Sequence, residues 1–487
     1  MSKTNLVYNV HDKPSWGKTF IFALQQLLAI LAATIAVPSI IGNGMSQSAA
    51  LFGAGIGTLV YLLFTKFKSP VFLGSSFAFI GSMFAAFGGA ASASMGYLGI
   101  ILGAIFAGLV YVIIALIVKF VGTNWINKVM PAVVIGPVVA IIGLSLAGNA
   151  IGDLFKGSIY HNVTTSGVVN DYSNLNLVGS PIDLGDGNFY VTHIVSELFT
   201  NSWIALLCGL VTLFVIVITS VYGKKMMKMI PFIIGILSGY ALAALFTLIG
   251  HLANVGWLQV IDFSKFLNIE WYPQFTFVEA FKGFKDFKDV GHFFTYLSTV
   301  LVAYVPVAFV VFAEHIADHK NLSSIIDKDL IQEPGLHRTL LGDGVGSIAG
   351  AFFGGCPNTT YGESVGTIAI SGNASIRTIF VTALLAIVLS FIGPFSTFLA
   401  TIPPCVMGGV CIALYGFIAV SGLKMIQPLD LGDNKNLFVV SSILIAGIGG
   451  LTLVIGKVTI TSIACALILG ILINIVVNLK RNKEVKE

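Results

Sequence analysis

Runs of about twenty apolar residues recur from Phe20 to Asn478, and each is long enough to cross a hydrocarbon core as a helix. In lipid every backbone N–H and C=O must be satisfied within the chain, so only helices or closed barrels span. A barrel would alternate apolar and polar residues over ~10-residue segments, and no such segments are present. Composition agrees, with 56% hydrophobic and 10% charged residues against about 25% charged in soluble domains. The chain therefore reads as an all-α polytopic membrane protein. The first run, FIFALQQLLAILAATIAVPSIIG, is too long for a signal-peptide core and reads as a true first helix. The net charge of +4 gives no sign of nucleic-acid binding. Cys208, Cys356, Cys405, Cys411 and Cys465 all lie in apolar segments without CxxC spacing. They read as small hydrophobes, not as metal or redox residues.

Fourteen hydrophobic segments are expected, near 19–38, 48–65, 70–89, 96–118, 129–148, 202–222, 230–251, 294–316, 337–354, 357–372, 378–400, 404–421, 436–455 and 458–479. An even number puts both termini on one side. With the N-terminus in the cytoplasm, all of the 26 basic residues fall on the inner side except Lys156, Lys265, Lys282, Lys285, Lys288 and Lys457. That skew supports a plasma-membrane protein with both termini cytoplasmic. Two long outer segments, 149–200 and 252–293, read as extracellular caps.

The chain repeats itself. PAVVIGPVVAIIG (Pro131–Gly143) and PCVMGGVCIALYG (Pro404–Gly416) share Pro, Val, Gly, Ala and Gly at a constant offset. They are the fifth and twelfth segments, so a seven-segment unit occurs twice. Seven is odd, so the copies enter the membrane from opposite sides, an arrangement found in secondary transporters. The third segment begins SPVFLGSSFAFIG and the tenth CPNTTYGESVG. Each has a proline, an extended-looking run and then small residues. Aligning Pro70 with Pro357 puts Ser76 and Phe77 opposite Glu363 and Ser364. Paired interrupted segments point to a transporter's binding site, and half-helix N-termini there would offer free N–H donors.

A carboxylate at mid-bilayer costs about 2.5–3.5 kcal/mol on an insertion scale, so Glu363 reads as a cavity residue. Glu314 and Asp318 in VVFAEHIADHKN are four apart and share a helix face. Asp318, His315 and His319 fall near the expected end of the eighth segment, where the histidines read as a solvated helix end. Glu333-Pro334 before His337-Arg338 reads as a turn and cap, and Asp343 as part of the ninth segment, in either a packing or a coupling role. Two carboxylates beside backbone donors suit a small neutral molecule with N–H groups next to carbonyls, such as uracil. No nucleophile–base constellation suggests an enzyme.

The stretches FLGSSFAF, AEH, EPGLHR, PNTTYGE and IPPCVMGGV…LYG resemble the nucleobase/ascorbate transporter family. Within it they are most similar to bacterial uracil:proton symporters, from about Thr19 to Leu479. The resemblance implies two inverted seven-segment repeats, split into a core domain (segments 1–4 and 8–11) and a gate domain (5–7 and 12–14). The boundaries fall at 1–120, 121–252, 253–402 and 403–487. It also implies homodimers and elevator-like alternating access. It places the substrate carboxylates at Glu314 and Glu363, main-chain donors at Phe77 and Gly362, and ring-packing residues at Phe77, Tyr361 and Tyr415. Ala33 would wall the pocket, and Ser76 joins the substrate set. Proton coupling is expected at Glu314, Asp318 and Glu363, with H+ rather than Na+ as coupling ion, since no cation cage is legible, and with no cofactor. Two positions depart from the pattern. Asp318 stands where uracil symporters often have histidine, and Gln25-Gln26 where they often have Gln-His. These leave open a purine (xanthine-type) permease; an anion exchanger of the same architecture would be expected to lack the carboxylates.

Overall fold

The computed structural model describes residues 6–479 apart from 124, 127–129, 170–177, 179, 186–187, 225–226 and 456–457. Lys3, Lys128, Lys225, Lys457 and the basic residues of 480–487, all used above to assign the two sides, lie outside the described residues. Among those residues, eight helices are long and apolar enough to cross a membrane. A ninth span results if Ile376–Ser390 and Gly393–Thr401, bent by 84°, count as one.

In chain order the helices are α1 (Trp16–Ile41), α2 (Gln47–Phe64), α3 (Ile80–Gly88), α4 (Ala93–Val121), α5 (Ala132–Ser145), α6 (Ala147–Leu154), α7 (Ser202–Tyr222), α8 (Pro231–Leu252), α9 (Thr276–Ala280), α10 (Val290–Ile326), α11 (Leu336–Gly354), α12 (Gly362–Ser371), α13 (Ile376–Ser390), α14 (Gly393–Thr401), α15 (Pro404–Ile426), α16 (Asn434–Ile448) and α17 (Ser462–Asn478). The strands are β1 (Leu73–Ser75), β2 (Tyr160–Val169), β3 (Ile182–Gly185), β4 (Asn188–Leu198), β5 (Asn358–Thr360), β6 (Leu453–Ile455) and β7 (Val458–Ile460).

The helices pack as two groups. In one, α2 lies on α11 and α13, α4 on α10 and α11, and α1 on α13. In the other, α15 lies against α5, α6 and α7, with α8 on α7 and α16 on α17. Lipid supplies little hydrophobic drive between helices, so close packing of small residues has to hold them. The α2–α11 seam meets this demand. A Cβ on Gly53 would fall 2.6 Å from Gly350 O, and one on Gly354 2.5 Å from Ala49 O. These backbones touch only because neither position carries a side chain.

The two interrupted segments meet inside the first group. β1 pairs antiparallel with β5, with Leu73 opposite Thr360 and Ser75 opposite Asn358. Ser76 N–H donates to Pro357 O at 2.9 Å, Leu73 N–H to Thr58 Oγ1 at 2.9 Å, and Asn358 Nδ2 to Gly53 O at 3.0 Å. Extended backbone at membrane depth is tolerable where such partners surround it. The strand register corrects the alignment on the prolines. Val71 and Phe72 lengthen the first lead-in by two residues, so Phe77 corresponds to Gly362 and Ala78 to Glu363.

Three further segments differ from expectation. The eighth segment does not end near 316. α10 runs on to Ile326, where Asp327 caps it in the left-handed conformation (φ 54°), because nothing between 317 and 326 breaks a helix. The thirteenth and fourteenth segments are shortened. α16 stops at Ile448 before Gly449-Gly450, and the β6–β7 hairpin follows before α17 starts. The long segment after α6 holds a β2–β4–β3 sheet. The 252–293 segment packs Phe275 and Phe277 onto Phe52, Phe352 and Phe353.

Candidate functional site

β5 ends at Thr360. Tyr361 is extended (φ −107°, ψ 119°) and Gly362 opens α12, with no side chain capping the helix. The first N–H groups of α12 are thus left to face whatever lies ahead of them. A cavity of about 360 Å3 lies there, within the usual range for small-molecule sites. Gly362 and Glu363 line it from α12, Glu314, Asp318 and Asn321 from α10, and Ala29 from α1. The second helix group supplies Val139, Phe232, Phe417, Ile418 and Ser421. The site thus falls between the two groups, with the chemistry on one wall and apolar rings on the other.

Glu314, Asp318 and Glu363 are all half-buried around this one cavity. Thr360 Oγ1 donates to Asp318 Oδ2 at 2.7 Å, which ties the acid on α10 to the end of β5. Gln26 Nε2 donates to Ser364 Oγ at 2.6 Å, and the same hydroxyl accepts from Phe72 N–H at 3.3 Å. One serine therefore links α1, the lead-in to β1 and the first turn of α12. No signal in the sequence singles Ser364 out, although Gln26 is conspicuous in an apolar run.

The remaining expected residues sit beside the cavity, not on its lining. Phe77 and Tyr415 meet edge to face, with ring centroids 5.7 Å apart, one from each helix group. Tyr361 turns inward and its hydroxyl donates to Ser75 O at 2.8 Å, bracing β1. Ala33 and Ser76 are buried behind it. Along α15 the lining runs from Phe417 toward Met425, and Lys228 and Met229 complete the mouth at that end. The Phe77–Tyr415 pair lies past the opposite end.

The histidines of α10 are not solvated. His315 and His319 are fully buried, because α10 continues past them with that face packed on α4 and hydrogen-bonded to α2 and α11. His315 Nδ1 lies 2.7 Å from Asp343 Oδ2 and its Nε2 3.0 Å from Thr339 Oγ1. His319 Nδ1 donates to His315 O at 2.8 Å, and its Nε2 lies 2.7 Å from the Tyr61 hydroxyl. Sequence spacing could not pair His315 with Asp343, which lies on the next helix. In EPGLHR the first three residues lead into α11, which begins at Leu336, and Pro334, Gly335 and Leu336 are buried while Glu333 stays exposed. There the hydrogen bond and charge of Lys68, at 2.5 Å, hold the exposed Glu333 carboxyl below its ordinary range.

A cavity walled by half-buried carboxylates and uncapped helix donors, set between two groups of membrane helices, defines a membrane transporter and not an enzyme. The Permease family (Xan_ur_permease) matches residues 17–178 and 188–456, and the chain belongs to it. It is 35% identical over 473 residues to the uracil permease of Bacillus caldolyticus, covering 96% of this chain and 94% of that one. It is 35% identical to the uracil permease of Bacillus subtilis (98% and 96% covered) and 30% identical to that of Escherichia coli K12 (98% and 95%). In fold it is similar to the transmembrane domain of the cyanobacterial bicarbonate transporter BicA, with a TM-score of 0.59, 13% identity, and 96% and 99% of the chains covered. SLC26A9 is similar at a TM-score of 0.61 and 11% identity, with 95% of this chain and 65% of that one covered. The protein is thus a multi-pass transmembrane permease of the nucleobase (uracil) permease family.

Proposed function

We propose that the protein imports uracil by proton symport. The observation that carries this reading is the convergence of Glu314 on α10 and Glu363 at the open end of α12 on one cavity. Uracil presents ring N–H groups beside carbonyls. The carboxylates of Glu314 and Glu363 accept from the N–H groups, and the main-chain N–H groups of Gly362 and Phe77 donate to the carbonyls. Phe77 and Tyr415 bound the ring's site at the end away from Lys228, with Tyr361, Ser76 and Ala33 behind them. The names of the relatives support this substrate. The fold neighbours include a bicarbonate transporter, but three carboxylates around a cavity would repel an anion.

In this reading the chain forms fourteen segments in two inverted repeats. The α1–α4 and α10–α13 group is the core that carries substrate, and the other group, with α5–α8 and α15–α17, is the gate. Both termini lie in the cytoplasm of a bacterial cell, and the protein works as a homodimer. Lys228 marks the cavity mouth and sits on the side assigned to the cytoplasm, so this conformation is inward-facing with Phe77–Tyr415 closing the outer path. H+ is the coupling ion, held by Glu314, Asp318 or Glu363.

The test is uptake of labelled uracil into proteoliposomes under an inward proton gradient, with unlabelled xanthine as competitor. Accumulation that collapses with a protonophore and ignores xanthine is expected. Strong xanthine inhibition would replace uracil by a purine, as the departures at Asp318 and Gln26 would then explain. Uptake indifferent to the proton gradient would end the symport reading.

A further inference from the structure

We propose that His315 and Asp343 together hold one exchangeable proton that is taken up or released in step with substrate binding. The proposal rests on the proton-symport reading and adds to it a site that the substrate does not touch.

The hydrogen bonds around His315 carry the argument. Thr339 Oγ1 donates its own hydrogen to Leu336 O at 3.1 Å. The 3.0 Å contact from His315 Nε2 to Thr339 Oγ1 then needs a proton on Nε2. With Nε2 protonated, the 2.7 Å contact between Nδ1 and Asp343 Oδ2 needs a second proton, on one atom or the other. The pair is then either imidazolium with carboxylate or imidazole with carboxylic acid. Both forms contain one proton more than neutral histidine beside an ionised aspartate, and both have zero net charge. Asp343 is 1% exposed and its Oδ1 has no hydrogen-bond partner. A bare carboxylate there would leave a buried charge poorly satisfied, and the shared proton removes that cost.

The surroundings connect the pair to the site. His315 follows Glu314, so the two consecutive residues of α10 present one group to the cavity and one to the interior. Loss of the shared proton leaves a negative charge behind Glu314, Asp318 and Glu363. Tyr111 from α4 stands edge-on to His315 at 6.3 Å, and His319 stacks on it at 4.0 Å. Two adjacent imidazolium rings would repel, so the stack holds one charge at most. Beyond His319, the Tyr61 hydroxyl lies 2.7 Å from Ser69 Oγ. This row of polar groups runs from the His315 ring to the loop that carries Lys66 and Lys68. Among the described residues no lysine or arginine pairs with Asp343.

The test is calorimetry of uracil binding to the purified full-length protein, in two buffers of different ionisation enthalpy, from pH 5 to pH 9. This gives the number of protons exchanged per uracil. Wild type is expected to exchange protons, and Asp343→Asn and His315→Gln each to lose the same one. The double variant loses no more than either single. Unchanged proton numbers in single variants that still bind uracil would overturn the pair while leaving symport intact. So would losses that add in the double variant. A wild type that binds uracil without proton exchange at any pH, or does not bind uracil, would defeat the underlying reading as well. Infrared difference spectra on uracil addition, for wild type and Asp343→Glu, cover the case in which the neutral variants do not fold. A carboxyl band that moves with the glutamate replacement supports the pair, and superimposable carboxyl regions overturn it.

Discussion

The two interrupted segments have one backbone plan and unequal chemistry. β1 with its following turn and α3 comprises Leu73–Gly88, and β5 with α12 comprises Asn358–Ser371. Each strand satisfies the other, and each leads into a half-helix. In register, Phe77 and Ala78 stand where Gly362 and Glu363 stand. The first copy thus offers an aromatic ring and a buried main chain, while the second offers an open N-terminus, a carboxylate, and a threonine that binds Asp318. A crossing of two strands asks only that both halves be extended and hydrogen-bonded. It leaves the residue after each strand free to differ, so one half can supply shape and the other charge.

The largest expected effect follows from removing the charge. Glu363→Gln should weaken uracil binding by about 10- to 100-fold, the worth of a hydrogen bond to a charged group at about 1.5–3 kcal/mol. Competition binding in detergent checks this, and unchanged affinity would dissolve the contrast between the copies. Glu314→Gln should lose gradient-driven accumulation, and Asp318→Asn should weaken it while keeping a hydrogen bond from Thr360. If both kept full uptake across pH, proton coupling would lie elsewhere. Phe77→Ala tests the other copy. It removes the ring that meets Tyr415, a contact worth about 0.5–1.5 kcal/mol beyond burial. We expect a several-fold rise in KM with proton dependence unchanged. Gly53→Ala forces α2 from α11 and should cost about 1–3 kcal/mol by overpacking, read as a lower Tm without a change in pH profile. The smallest effect belongs to Lys68–Glu333. Its carboxyl is held low, so the pair's contribution is present above the ordinary carboxylate range and is lost as pH falls through the lowered value. Both groups are accessible to solvent, so Glu333→Gln should leave Tm unchanged within error.

The apolar runs made the helices legible because lipid leaves the backbone no alternative. Glu363 was legible for a related reason, since a charge beside Pro357 and Gly362 in a greasy chain needs a cavity. The proline-based alignment failed by two residues because the lead-ins differ in length, and strand pairing, not the prolines, sets the register. The His315–Asp343 pair was hidden because α10 had to continue past Asp318 before its inner face existed. Its partner also lies across a turn, on α11. Ser364 could not be singled out, since its two partners, Gln26 and Phe72, come from segments that are distant in the chain.

The β1–β5 crossing has a consequence for how the molecule is made. Leu73 finds its strand partner at Thr360, so residues 73–75 lack their ladder until nearly three-quarters of the chain has been synthesised. The binding site therefore cannot mature as segments enter the bilayer one by one. It closes late, when the second half folds back on the first. A chain severed between α8 and α10 should regain a working site only when both fragments are produced together.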